Sequence, residues 1–378
     1  MERTIRGFVL SKPVASILFL TKYSRKGASS RYRSLQYIPY LEEAGFQCVV
    51  SPLFDDKYLE HLYQTGHGRF IDYVYAVIGR FMILFQMRRF DLVLIEKEVF
   101  PYFPAVAEWF IKLFGYLYIV DYDDALFHQY DNHPNWLIRK LFGKKIAKVM
   151  QRADLVIAGN RYLADYGKQA KAKRVEVIPT VVDLKLYKKR SVELKSEKPF
   201  TIGWIGSPST THHLLSLALP LKEFCSRTDS RLLVVGARDF CIEGVSIENR
   251  LWSMETEIEN MLEMDVGIMP LPDEPWERGK CGLKLIQYMA CSLPVVASPV
   301  GVNSLIVSHG RNGFLASDPD SWIRAFTELR VSLKLRKEMG AKGRIIVERN
   351  FSIIVTAPKL IQLFEQLISH KSVDTGFR

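Results

Sequence analysis

Short apolar runs alternate with helix-length amphipathic stretches from one end of the chain to the other, the pattern of a parallel sheet wrapped by helices. In the first half the runs predict strands at Val14–Leu20, Gln47–Ser51, Leu92–Ile95, Leu117–Val120, Leu155–Ala158 and Val175–Ile178. A polar, lysine-rich stretch with little apolar periodicity, Lys185–Lys198, then interrupts the pattern and is the best linker in the sequence. The alternation restarts at Thr201–Ile205, Arg231–Val235, Val266–Met269, Pro294–Ala297 and Gly313–Leu315. There is no short repeat, which argues against a solenoid. The expectation is two doubly wound, Rossmann-like α/β domains, residues 1–190 and 191–350, facing across a cleft. A terminal segment, 351–378, carries Ile353, Ile354, Leu360, Ile361, Leu363, Phe364 and Leu367 at helical spacing. Ligands in such folds sit at the carboxyl ends of strands, so chemistry is sought in the loops that follow them.

Composition sharpens this picture. A chain of 378 residues suits two domains, and 48% apolar with 25% charged residues is the balance of a soluble globular protein. Cys48, Cys225, Cys241, Cys281 and Cys291 are scattered without metal-ligand spacing, which points to a reducing compartment and to neither zinc nor a disulfide framework. The basic then apolar start reads as a first strand and lacks a signal cleavage site. Phe70–Phe90 and Phe103–Val120 are apolar but broken by Arg80, and by Glu108 with Lys112. Neither offers the ~20 uninterrupted apolar residues of a spanning helix. A cytoplasmic protein is expected, with peripheral attachment at the inner membrane face as one option. The net charge of +11 is uneven: residues 1–200 hold 32 Lys and Arg against 21 Asp and Glu, and the remainder is neutral. That asymmetry suggests either an anionic partner for the first half, a membrane surface more than nucleic acid, for which no reading motif is present, or simply a solvated face rich in lysine.

Four loops carry candidate chemistry. In TKYSRKGASSRYR, Gly27 and the small residues through Ser30 allow a tight turn into a helix flanked by Arg31 and Arg33. This suits a phosphate or a sugar hydroxyl, or is simply a capped helix with exposed arginines. In VDYDDALF, three carboxylates, Asp121, Asp123 and Asp124, crowd a strand's carboxyl end and need a cation, shared protons or donors. A metal clamp on a diphosphate, recognition or deprotonation of an acceptor hydroxyl, and loop capping all remain open. His128 and His133 follow close by. In IGWIGSPSTTHHL, Gly206, Ser207 and Thr210 form a plausible diphosphate cradle at a helix start. In PLPDEPWERGKCGLKLIQYMA, Gly279 and Gly282 open a helix beside Arg278, Lys280 and Lys284. Lysines there, added to the positive end of the helix dipole, would neutralise a leaving diphosphate.

Taken together, GWIGSPST, LKLIQYMACSLPVVASPVG and HGRNGFLA, with GASSRYR, GNRYLADY and VIPTVVDLKLY before them, resemble the retaining, group-one family 4 of glycosyltransferases. The resemblance is strongest over residues 200–320. It implies the GT-B fold, with a nucleotide-diphosphate sugar held by the second domain and a glycan or lipid-linked acceptor held by the first. It also implies metal-independent transfer with retention and no cofactor beyond the co-substrate, in cell-surface polysaccharide or glycolipid biosynthesis. Donor contacts then fall to Gly206, Ser207, Thr210, Arg278, Gly282 and Gln287. Acceptor contacts fall to Gly27, Ser30, Arg31, Arg33 and Asn160, and the catalytic groups are Asp121, Asp123, Asp124, Lys280 and Lys284. The sequence departs from the family where two glutamates are usual: Gly279 and Gln287 stand there, with Glu277 two places early. Trp252 is a candidate base-stacking residue or a core tryptophan. Two other readings stay open, a nucleotide-sugar-binding protein without catalysis and a GT-B nucleotide-sugar epimerase.

Overall fold

The computed structural model describes residues 14–189 and 199–375. Residues 1–13 and the larger part of the expected linker, 190–198, lie outside the described residues.

Among the described residues, twelve strands form two six-stranded parallel sheets. The first holds β1 (Ala15–Tyr23), β2 (Phe46–Phe54), β3 (Leu92–Glu96), β4 (Leu117–Tyr122), β5 (Leu155–Ala158) and β6 (Val175–Val177), in the order β2-β1-β3-β4-β5-β6. The second holds β7 (Phe200–Ile205), β8 (Ser230–Val235), β9 (Ile247–Arg250), β10 (Val266–Met269), β11 (Val295–Ala297) and β12 (Gly313–Leu315), in the order β12-β11-β10-β7-β8-β9. The central strands β3, β4, β5 and β10 are almost continuously apolar because helices cover both faces of each sheet. One apolar cluster packs on each side of each sheet. The sequence pattern did not predict β9: it is a half-buried edge strand reading IENR, with one apolar residue to signal it.

Helix starts follow local chemistry. Asp55 caps the helix Asp56–Thr65, Asn160 caps Arg161–Gln169, and Asp318 with Ser321 closes a capping box on Pro319–Val331. The helix Ile353–Thr375 packs back on the first sheet. There Phe364 meets Phe46 edge-on at 6.5 Å between ring centres, and the Thr356 and Tyr37 hydroxyls lie 2.8 Å apart.

Strand order reverses between β1 and β3 in one sheet and between β7 and β10 in the other. These are the crevices where open α/β sheets bind ligands. Their carboxyl ends face one another, and the polar loops between them form the site.

Candidate functional site

A cleft of about 360 Å³ lies between the sheets. The first sheet's side supplies Lys26, Ala28, Arg31 and Tyr63, and the second supplies the loop from Ile205 to Thr210, Trp252 and Lys284.

The second side is built around Gly206, directly after β7. A Cβ added to Gly206 would stand 2.6 Å from the Trp204 ring and 2.7 Å from Lys284 Nζ, so only glycine lets the loop pass this close. Lys284 rises from the first turn of the helix Leu283–Ala290, which starts after Gly282 in a left-handed conformation, φ +70°. Its ammonium sits 4.1 Å above the Trp204 ring. Burial, then the charge of Lys280, lowers its pKa to about 7. No carboxylate among the described residues pairs with Lys284, in contrast to the other two predicted cations of this segment. Arg278 is exposed, takes both oxygens of Asp273 at 2.7 and 3.1 Å, and does not line the cleft. Lys280 lies 3.6 Å from Asp124. Ser207 and Thr210 line the cleft, with Thr210 Oγ1 donating to the Ser207 carbonyl at 3.0 Å.

The floor of the cleft is a buried hub at Glu257, which the sequence reading missed. Glu257 Oε2 accepts from Arg31 Nη2 and from Trp252 Nε1, both at 2.7 Å. Its Oε1 accepts from the Tyr32 hydroxyl at 2.8 Å and from Gln287 Nε2. Gln287 Nε2 also reaches the hydroxyls of Tyr32 and Tyr187 at 3.0 and 3.1 Å. Gln287 is therefore committed to a buried network, and its amide donor is not free for a ribose. Trp252 is half-buried, lines the cleft and carries the Arg31 guanidinium 5.0 Å from its ring centre. Trp252 also packs against the apolar cluster beneath the cleft, so it serves the core and the cleft wall together.

Several residues predicted to meet an acceptor are engaged in contacts within the protein. Arg33 and Asp121 close a bidentate pair at 2.6 and 2.9 Å, both almost fully buried, and Arg33 also donates to the Ile178 carbonyl at 2.8 Å. Although burial opposes its charge, Asp121 raises the Arg33 pKa further. Neither side chain lines the cleft. Ser30 Oγ donates to Glu96 at 2.6 Å and accepts from the Tyr23 amide at 3.0 Å, which leaves it buried and occupied. Gly27 caps the helix Ala28–Arg33 against the Tyr23 side chain, at the edge of the cleft. Asn160 accepts from the Leu163 amide at 2.9 Å and donates to the carbonyls of Gly279 and Lys280 at 2.8 and 3.1 Å. It fastens the first domain to the loop that carries Lys280.

The cation that the crowded aspartates require is Lys97. It sits just past β3 in the left-handed region, φ +68°, a strained conformation for a lysine. Its ammonium lies 3.0 Å from Asp123 and 3.3 Å from Asp124. Burial alone would raise the Asp123 carboxyl; Lys97, a hydrogen bond from Ser29 and the charge of Arg33 outweigh it and hold the group below the usual range. A metal clamp would have to displace this ammonium, so the aspartate loop is better read as a charge-neutralised wall beside the cleft. The sequence signal was present: Glu96-Lys97-Glu98 ends β3 beside the level at which the aspartates end β4. Glu277, the early glutamate, is buried 3.3 Å from His213 Nε2. Burial raises the Glu277 pKa, while burial and nearby charges lower that of His213 to about 3.

Residues 199–330 match the family model "Glycosyl transferases group 1". The chain is 22% identical over 211 residues to N-acetyl-alpha-D-glucosaminyl L-malate synthase of Bacillus anthracis, covering 52% of this chain and 53% of that protein. It spans about half the length of the curated relatives it matches. Among solved structures, sucrose-phosphate synthase of Thermosynechococcus elongatus superposes with a TM-score of 0.69 at 17% identity, over 94% of this chain and 99% of that one. Anabaena Alr3699/HepE in complex with UDP-glucose gives a TM-score of 0.69 at 17% identity, over 94% and 100%. Residues 199–330 are thus similar to the group 1 glycosyl transferases, and the described chain as a whole has the two-domain GT-B fold.

Proposed function

We propose that the protein moves a sugar from a nucleotide-diphosphate sugar to a glycan or lipid-linked acceptor, with retention of configuration and without a metal. The observation that carries this reading is Lys284: an ammonium with no carboxylate partner among the described residues, beside a glycine loop, at the start of a helix that opens on the interdomain cleft. Such a group is matched to a diphosphate, whose negative charge grows as the glycosidic bond breaks. In this mechanism Lys284 and the dipole of its helix hold the leaving diphosphate, with Lys280 adding positive potential from beside the cleft. Trp252 offers a flat face toward the nucleotide end. The acceptor enters from the Lys26, Ala28 and Tyr63 side, so that donor and acceptor meet between the sheets and most of the rate comes from positioning and charge stabilisation. A role in cell-surface polysaccharide or glycolipid synthesis, on the cytoplasmic side, completes the proposal.

The test is calorimetric titration of nucleoside diphosphates with and without EDTA, on the wild type and Lys284→Met. The Anabaena protein was solved with UDP-glucose, which makes uridine diphosphate the first ligand to try. Binding that survives EDTA and is lost in Lys284→Met supports the reading. Binding that disappears with EDTA moves the diphosphate to the aspartate loop and overturns the metal-free mechanism.

A further inference from the structure

Among the described residues, every strongly exposed aromatic side chain falls between Tyr63 and Trp136. Phe70, Tyr75 and Phe85 are 81, 68 and 83% exposed on the helix Phe70–Phe85. Phe114, just past the end of the helix Val106–Leu113, and Trp136, on the helix Trp136–Phe142, are 70 and 58% exposed. Ring and loop contacts tie the long helix to the segment around Pro101 and that segment to His133. Phe81 of that helix stacks toward Phe100 at 4.7 Å between ring centres, Tyr73 donates to the Pro101 carbonyl at 2.9 Å, and Tyr102 meets His133 at 6.4 Å, just before the helix Trp136–Phe142. Helix Phe70–Phe85 is held to its sheet by a polar anchor as well: buried Arg80 donates to the Thr21 carbonyl at 2.6 Å. A cluster of exposed aromatic side chains of this kind marks an interaction surface.

We infer that this face docks on an anionic lipid bilayer, and that the acceptor is therefore lipid-linked; the second clause rests on the transferase reading above. Charge selects the occupant. Arg88 and Arg89 directly follow the long helix, Lys140 lies on the Trp136 helix with Lys144 just beyond it, and none pairs with a carboxylate among the described residues. Aromatic rings flanked by unpaired cations match the boundary between acyl chains and anionic headgroups. A second copy of this chain fits poorly, because a twofold contact would set the same cations against one another. No helix of the described residues is long and apolar enough to cross a membrane, so the helices lie in the surface plane. The face also adjoins the acceptor side of the cleft. Tyr63 and Gln64 line the cleft from the helix Asp56–Thr65, and Phe70 begins the docking helix a short loop later.

The experiment is vesicle sedimentation of the full chain with phosphatidylcholine alone and with phosphatidylcholine containing phosphatidylglycerol. Two variants accompany it: Phe70→Ser/Phe85→Ser/Phe114→Ser and Arg88→Gln/Arg89→Gln. The wild type is expected to partition onto the anionic vesicles, and each variant to lose roughly tenfold or more of that binding. Nucleotide titration and circular dichroism should stay at wild-type values, since all these side chains are exposed and away from the cleft. Vesicle binding that is absent, independent of phosphatidylglycerol or unchanged in the variants overturns the proposal. So does sedimentation velocity showing a dimer that the serine variant dissolves. Loss of nucleotide binding in the wild type sinks the transferase reading alone, because vesicle partitioning is read without any nucleotide.

Discussion

Tyr32 donates its hydroxyl to Glu257 at 2.8 Å, joining a helix beside the first sheet to a helix beside the second across 225 residues of sequence. The bond sits on the floor of the cleft, and the same hydroxyl lies 2.8 Å from Tyr187. A hydrogen bond to a charged acceptor contributes about 1.5–3 kcal/mol. Tyr32→Phe is therefore expected to lower stability to urea by about that amount. Glu257→Leu is expected to cost more, about 3–5 kcal/mol, because it strands the mostly buried Arg31. Equilibrium unfolding of the two variants checks the order; equal effects would show that the carboxylate matters no more than one hydroxyl contact.

The Arg33–Asp121 pair calls for a double-mutant cycle. Arg33→Met or Asp121→Asn alone breaks a buried bidentate pair and is expected to destabilise the fold by about 3–5 kcal/mol. Arg33→Met with Asp121→Leu removes both charges and should recover most of that loss. Catalytic or acceptor-binding duty for either residue predicts a different result: a stable single variant with activity lost.

Lys284 ties ligand binding to pH. Its pKa in the folded protein is about 7, against an ordinary value of 10.5. Between those values the unfolded chain binds the extra proton, so stability contributed at this site rises with pH from about 7 to 10.5 and is at its lowest below 7. Nucleoside diphosphate binding runs the other way, since the anion needs the charged lysine. Affinity should fall between pH 6 and pH 9, and binding near neutrality should take up a proton. Calorimetry in buffers of different ionisation enthalpy measures that uptake, and Lys284→Met should abolish it. A wild type and variant with the same proton count would remove Lys284 from the diphosphate site.

Gly206→Ala probes the same contact sterically. The new methyl carbon would crowd Lys284 Nζ at 2.7 Å and the Trp204 ring at 2.6 Å. The flexible ammonium should yield first. Nucleotide affinity is expected to fall roughly tenfold, about 1.4 kcal/mol, with a smaller loss of thermal stability. Unchanged affinity with a large drop in Tm would mean that the glycine serves packing alone.

Much of the fold was legible in the chain because burial on both sheet faces demands apolar runs, and caps such as Asn160 and Asp318 act on their own neighbours. Those are local requirements, written locally. The same locality made the glycine loop after β7 and the lysines near Gly282 stand out. What the chain could not reveal was which charges cancel. Arg33, read as free, is spent on Asp121; Asn160 binds the loop carrying Lys280; Gln287 is absorbed by Glu257, a residue with no motif around it. Arg278, Lys280 and Lys284 look alike in sequence, yet only Lys284 is left unpaired by a carboxylate among the described residues. Charge pairing depends on distances between loops from different sheets, and folding alone sets those distances.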